Sequence, residues 1–329
     1  MSRAFLGAAQ GRQRGIALLT AILLVALGTI LAAALAYATA MTARRSQGVF
    51  AFDQSILVAE AGEALAAYAL QQSRILNASA DALGQPWSMP YGPAEVVPGI
   101  TLEASLEDMQ GRFNLNNLVD ANGEIDPNEL QAFENLLSIL GLETKWAPAI
   151  ADWIDADSVA YGTDGAEDAT YLAQMPSYRA ANRQITSPSE LLALVGFGPV
   201  RYARIAPYVA ALPRGTTVNV CTASGPVLDA LGPGGPTGPS QVQYSNLDPQ
   251  SFAKQRADGC FPTVAEYQAA FRTAQGAASS IAMTGVSQQS DYFRLRSIVD
   301  IGSAEFYLYS LLHRERDRMH VIERSFTAD

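Results

Sequence analysis

The stretch DWIDADSVAYGTDGAEDATY brings Asp152, Asp155, Asp157, Asp164, Glu167 and Asp168 together with no basic residue among them. Carboxylates this dense repel one another unless water or a cation screens them. Ca²⁺ takes roughly six to eight oxygens, from carboxylates and from the backbone carbonyls of flexible loops. The Asp-x-Asp spacing at Asp155 and Asp157 suits one chain wrapping an ion, and Gly162 and Gly165 permit the turns such wrapping needs. The spacing is not that of an EF-hand, so a solvated acidic loop is the other reading. A second acidic stretch, DANGEID, fails as an EF-hand loop: Ile125 stands where glycine is required and Gln131 where glutamate is. It reads as a polar loop leading into a helix.

Little else in the chain carries chemistry. The only histidines, His313 and His320, fall late and in strand context, too little for an imidazole triad or a zinc site. There is no phosphate-binding loop, no GxSxG and no CxxC. The segment SELLALVGFGP can be read as a helix-hairpin-helix, whose backbone N–H groups would face a DNA phosphate. Arg201 and Arg204 follow it, but the lysines expected around such a hairpin are missing. A net charge of -10 also argues against a nucleic-acid partner. Cys221 and Cys260 permit one disulfide, worth roughly 4 kcal/mol on the chain-entropy argument; two unpaired thiols are the alternative.

The N-terminus changes character at one bond. Arg3, Arg12 and Arg14 precede Gly15 with no acid between them, and from Ile16 through Ala43 there is no charge at all. A membrane-crossing helix needs roughly 20 apolar residues, which Ile16 to about Tyr37 supplies. The basic side keeps the leader in the cytoplasm and sends the rest across. The run is longer than the apolar core of an ordinary signal peptide, although Ala36-Tyr37-Ala38 could serve as a small-x-small cut.

These groups must be positioned by the elements around them. Phe50, Leu57, Ala61, Leu65 and Tyr68 recur at helical spacing, so one long helix is predicted from about Ile16 to about Leu76, its first half in lipid and its second half amphipathic and packed on a soluble domain. In GITLEASLED, Ile100, Leu102, Ala104 and Leu106 alternate with polar residues, as in a half-buried strand. Residues 114–212 carry helical signals: PNELQAFENLLSILGL ends at Gly141, and Ser187, Pro188 and Glu190 read as a capping box. Gly196-Phe197-Gly198 fits a tight turn between short helices. Residues 223–250 read as a Gly/Pro-rich loop and 260–275 as briefly helical. DYFRLRSIVDIG, AEFYLYSLL and MHVIERSF return to antiparallel strands. The fold class is therefore α+β: a long helix on an antiparallel sheet that an α-rich block interrupts.

Several stretches, in this order, resemble the minor pseudopilin K family of bacterial type II secretion: RGIALLTAILLVALGTILA, GRFNLNNL, DWIDADSVAYGTDGAEDATY, YRAANRQITSPSELL, PYVAALPRGTTVNV and YFRLRSIV. The resemblance covers nearly the whole chain. It implies a prepilin-type leader at 1–15, cut by the prepilin peptidase between Gly15 and Ile16, with Ile16 then N-methylated. It implies a transmembrane part at 16–42, the remaining helix and first strands at 43–113, an inserted all-α domain at 114–212 and a C-terminal pilin-like β region at 213–329. Most pilin-like subunits carry a glutamate five residues into the mature chain. The K family lacks it, and Thr20 agrees. The family's calcium segment maps onto Asp155, Asp157, Asp164, Glu167 and Asp168, with Asp152 left as a helix cap. The implied role is non-catalytic: a tip subunit of the pseudopilus, anchored once in the inner membrane with its C-terminal domain in the periplasm. Its partners would be minor pseudopilins I, J and H and the major pseudopilin G, with lateral contact along the helix face from Phe50 to Tyr68. The alternative is a membrane-anchored DNA-uptake protein that uses the hairpin.

Overall fold

The structure is a computed structural model that describes residues 13–232, 242–271, 285–316 and 318–327. It divides into two compact units, residues 1–57 and 58–329. Helix α1 runs from Gln13 to Leu76. In the first unit its apolar side chains are exposed, among them Ile22, Leu27, Ile30 and Leu35. This is the one helix among the described residues long and apolar enough to cross a membrane. Thr20 turns its hydroxyl back to the Ala17 carbonyl at 3.0 Å, so no polar group is left unpaired there.

In the second unit α1 lies on a five-stranded antiparallel sheet ordered β1-β2-β7-β8-β9. The strands are β1 Tyr91–Val97, β2 Ile100–Asp108, β7 Tyr292–Ile301, β8 Ala304–Glu315 and β9 Arg318–Ser325; the two-residue strands β3 Phe113–Asn114, β4 Val209–Ala210, β5 Val218–Asn219 and β6 Val286–Ser287 form two separate parallel pairs. The predicted alternation holds: Ile100, Leu102 and Ala104 of β2 face inward with Phe293, Leu295 and Val299 of β7. The face of α1 that packs here is not the predicted one. Val58, Ala59, Ala66 and Leu70 are buried, whereas Leu57, Leu65 and Tyr68 stay exposed. Small residues let the helix approach closely: a Cβ on Gly62 would stand 3.2 Å from the Ser297 hydroxyl. Glu63, buried on this face, accepts from Ser310 Oγ at 2.6 Å and from Arg324 Nε and Nη2 at 2.8 and 2.7 Å. That charged clamp ties the last strand to the helix. Strand β1 was not foreseen among the prolines of MPYGP. It is an edge strand with irregular register, where a missing N–H is tolerated.

Between β2 and β7 the chain builds a second, larger core from Phe113 to Phe271. Its helices are α2 Pro127–Ile139, α3 Trp146–Ile154, α4 Asp168–Leu172, α5 Gly198–Ile205, α6 Gly225–Leu231, α7 Pro249–Ala257 and α8 Val264–Ala270. Helix α2 forms as its sequence requires. Asp126 caps it by accepting from the Asn128 and Glu129 N–H groups, and Leu130, Phe133, Leu136 and Leu137 are buried on one face. Gly141, at φ +65°, ends it. Ser187 opens a short 3-10 helix, but Glu190 reaches the Thr186 N–H rather than that of Ser187, so the capping box is not formed.

The helical part does not stop at residue 212. Val227, Leu228, Tyr244, Tyr267 and Phe271 belong to the same core as Phe133 and Leu137. Gly and Pro in the middle of residues 223–250 predict a loop. Yet Gly225–Leu231 is helical, with proline in its first turn. Residues 233–241, the centre of that stretch, and 272–275 lie outside the described residues. Cys221 and Cys260 form a disulfide that packs in a small separate cluster with Ala80 and Ala82. Arg256 sits beside it, buried, donating to the carbonyls of Val220, Thr222, Ala223 and Phe261.

GRFNLNNL acquires a physical meaning in this frame. Asn116, buried, donates to the Ile185 and Leu212 carbonyls at 3.0 and 2.8 Å and accepts from the Ile185 N–H at 2.9 Å. Asn114 accepts from the Leu212 N–H, and Asn117 holds Gly215 and Thr216. Three side-chain amides thus satisfy backbone groups just beyond the short parallel pairing of Phe113–Asn114 with Val209–Ala210.

Candidate metal centre

The acidic segment begins inside α3, whose nine residues are all buried. Asp152 lies in the interior of that helix and Asp155 is its C-cap, one turn on, so both carboxylates leave the helix on one side. The chain then loops out and returns at Glu167, the N-cap residue of α4. Asp152, Asp155 and Glu167 each place one carboxylate oxygen within 4.8 Å of the others. All three are buried.

Their hydrogen bonding is unequal. Asp152 accepts from the Tyr161 N–H at 3.1 Å and the Ala166 N–H at 2.7 Å, so it shapes the loop. Gly165 is required there: a Cβ would stand 2.3 Å from Asp152 Oδ2 and 2.4 Å from the Tyr161 nitrogen. Asp155 Oδ1 and both Glu167 carboxylate oxygens are buried with no partner. Trp153 and Tyr171 meet edge-to-face beside them at 4.9 Å, with the indole N–H and the phenol hydroxyl likewise unpaired.

The electrostatics follow from the geometry. Burial, then the charges of Asp157, Asp152 and Glu167, pushes Asp155 up to about 7. Burial, then Asp152 and Asp157, pushes Glu167 up to about 7. Asp152 is raised by burial and by Asp157. A divalent cation would reverse each of these effects. The donor set is all oxygen, which suits a hard cation such as Ca²⁺ rather than a thiolate- or imidazole-seeking metal.

Of the residues predicted as ligands, the structure brings Asp155 and Glu167 together. It adds Asp152, which does not cap a helix. Asp157 is exposed and caps its own turn through the Val159 N–H at 2.7 Å. Asp164 is exposed. Asp168 turns away, accepting from the Ala180 N–H at 3.1 Å and facing Arg179 at 3.6 Å. The signal for Asp152 was its three-residue spacing to Asp155, legible once α3 is known to run to Ile154.

The hairpin is the other site the sequence raised. Gly196 and Gly198 do make its turn, at φ +82° and +75°. Both arginines behind it are committed within the chain. Arg201 forms a two-pronged pair with Glu143 at 2.9 and 3.0 Å, and Arg204 donates to the Gly141 carbonyl at 3.2 Å.

Comparison with known proteins agrees with this architecture. Residues 111–214 match the family model described as type II secretion system (T2SS), protein K. Type II secretion system protein K of Pseudomonas aeruginosa is 38% identical over 67% of this chain and 68% of its own length. The Klebsiella pneumoniae protein of the same description is 30% identical over 96% and 97%. Among solved structures, a chain of the GspK-GspI-GspJ complex from enterotoxigenic Escherichia coli superposes with a TM-score of 0.68 at 23% identity, covering 87% of this chain and 100% of that one. On this likeness along almost its full length, the chain belongs to the type II secretion system protein K family, the minor pseudopilins K.

Proposed function

We propose that this protein is the non-catalytic tip subunit of a type II secretion pseudopilus, where it nucleates or caps assembly for the export of folded proteins across the outer membrane. The observation that carries the reading is family likeness over 96% of the chain. The solved relative was captured together with GspI and GspJ, and we assign the corresponding partners to this chain. Minor pseudopilin H and the major pseudopilin G complete the assembly. The prepilin peptidase cuts after Gly15, and Ile16 becomes the methylated end of an inner-membrane anchor whose C-terminal domain is periplasmic.

Two features of the surface support docking of partner helices. Leu57, Leu65 and Tyr68 remain exposed along α1. Beside them an apolar groove of about 230 Å³ opens between α1 and β2, lined by Leu65, Ala69, Trp87, Met89, Tyr91 and Leu106. Thr20 supports the tip position: a neutral, self-bonded residue needs no amine from a subunit above it.

Calcium is structural in this reading. Asp155 and Glu167 hold the ion with Asp152, which fastens the loop between α3 and α4.

The test is co-expression with minor pseudopilins I and J. A ternary complex is expected to co-elute, and an L65E/Y68E variant is expected to lose it while keeping its fold. Three folded subunits that elute separately would sink the proposal.

A further inference from the structure

The two histidines of the chain, His313 and His320, stand directly opposite each other in the fold. His313 on β8 is the antiparallel partner of His320 on β9, close to the hairpin end where Glu315 pairs with Arg318. Directly opposed residues project from one face of a sheet, with Cβ atoms roughly 4.5–5.5 Å apart. The row continues onto β7, where Tyr292 is the partner of His313. Its ring stacks on the His313 imidazole with centroids 4.5 Å apart and planes 12° from parallel. That stack restrains His313, which is half-buried, while His320 is exposed on the edge strand and can turn towards it. Neither imidazole makes a hydrogen bond or an ion pair among the described residues. Each neutral ring therefore keeps its lone-pair nitrogen open.

Two imidazoles are too few for a closed structural zinc site, which takes four protein ligands. They suffice to chelate an ion whose other positions hold water. The donor type decides which ion: imidazole suits zinc, copper and nickel, whereas the all-oxygen cluster between α3 and α4 suits a hard cation. Nearby charges do not oppose a metal. Glu315 and Arg318 face each other across the strands, and Arg294, two residues along β7 from Tyr292, is paired with Glu107 at 2.7 Å. We propose that His313 and His320 form an open two-histidine site for a divalent transition-metal ion of the zinc and copper class, with Tyr292 as the positioning residue that orients the first ligand. The site shares no residue with the acidic centre and does not depend on the calcium reading.

The experiment uses the untagged full chain in detergent, with CaCl₂ in excess so that the acidic cluster is not left to compete. Isotope labelling of histidine gives ring signals from two residues only, read by NMR. ZnCl₂ is expected to move both sets of ring signals in parallel, saturating at a single ion per chain. In H320Q the His313 signals are expected to stay in place at zinc concentrations that saturate wild type, and in H313Q those of His320 likewise. Y292L keeps both ligands and is expected to need more zinc for the same parallel shift. With CuCl₂, electron paramagnetic resonance is expected to show two imidazole nitrogens on one ion. Rings that ignore zinc, or that titrate independently of each other, would overturn the proposal. So would His313 signals in H320Q that move as they do in wild type. If a histidine variant does not fold, the wild-type titration and the copper spectrum decide the question alone.

Discussion

Asp155 closes α3 and Glu167 precedes α4, and their carboxylate oxygens share a buried space less than 4.8 Å across with no donor aimed at either Asp155 Oδ1 or the Glu167 oxygens. Like charges that close favour the protonated form unless a cation intervenes. On the calcium reading proposed above, a bound cation would remove that repulsion and fasten the two helix ends together.

Chelation should accordingly lower the melting temperature of the folded protein. At calcium one hundred times its dissociation constant the gain would be about 2.7 kcal/mol. In E167Q the calcium response should vanish, while the metal-free protein should melt at or above wild type because one buried charge is gone. A melt indifferent to chelator, with metal removal verified, returns the segment to a solvated loop.

A second buried carboxylate gives a pH signature away from the metal centre. Asp108 accepts from Gln110 N, Asn219 Nδ2, Thr222 Oγ1 and Ser290 Oγ, but no cation touches it. The buried pair Arg314–Asp81, 2.8 Å apart, is linked to it, among the described residues, only through Asn219 and Ser290. Burial outweighs the hydrogen bonds and pushes Asp108 from the usual 3.8 up to about 6. The folded state thus holds this proton more tightly than the unfolded one. The contribution is complete below about pH 4 and disappears as pH rises through 6, on the order of 3 kcal/mol in all. Relative to wild type, D108N should gain stability as pH rises from about 4 to about 6. Denaturation midpoints that run parallel over that range would contradict this.

Asn116 carries three hydrogen bonds to Ile185 and Leu212 from a fully buried position. N116A would strand those backbone groups at about 1–3 kcal/mol each, partly relieved by water. A loss of roughly 3 kcal/mol or more is expected by denaturant titration, against almost none for exposed N122A. Equal effects would mean the amide is replaceable.

The N-terminus of the membrane-extracted chain should be Ile16 when the prepilin peptidase is present and Met1 when it is absent, read by mass spectrometry. G15L should block the cut. A start after Ala38 would instead mean an ordinary signal peptide, and the pseudopilin reading would be withdrawn.

Local pattern carried much of this fold. The α1 helix, the α2 cap at Asp126, the turn at Gly196 and Gly198 and the inward alternation on β2 and β7 each depend on residues a few positions apart. Such signals survive in sequence because near neighbours decide them. Helix α6 does not stand out, since Ser224 makes no side-chain cap, the Gly-Pro start resembles the loop that follows, and burial of Val227 and Leu228 against the α2 side of the core makes it a helix. The packed face of α1 escaped for a related reason: large residues recur on one stripe, but the sheet selects the small ones around Gly62.

What the sequence determined by itself is composition and period: an uncharged run after a basic leader, six carboxylates in one segment, strands and helices in order. What only the tertiary structure decided is which of those carboxylates meet. Asp152, Asp155 and Glu167 converge because a buried helix and a returning loop put them there, while Asp157, Asp164 and Asp168 in the same segment face water or Arg179. The three-residue step from Asp152 to Asp155 is legible along α3, but the return of Glu167 to them is a through-space event that spacing does not encode.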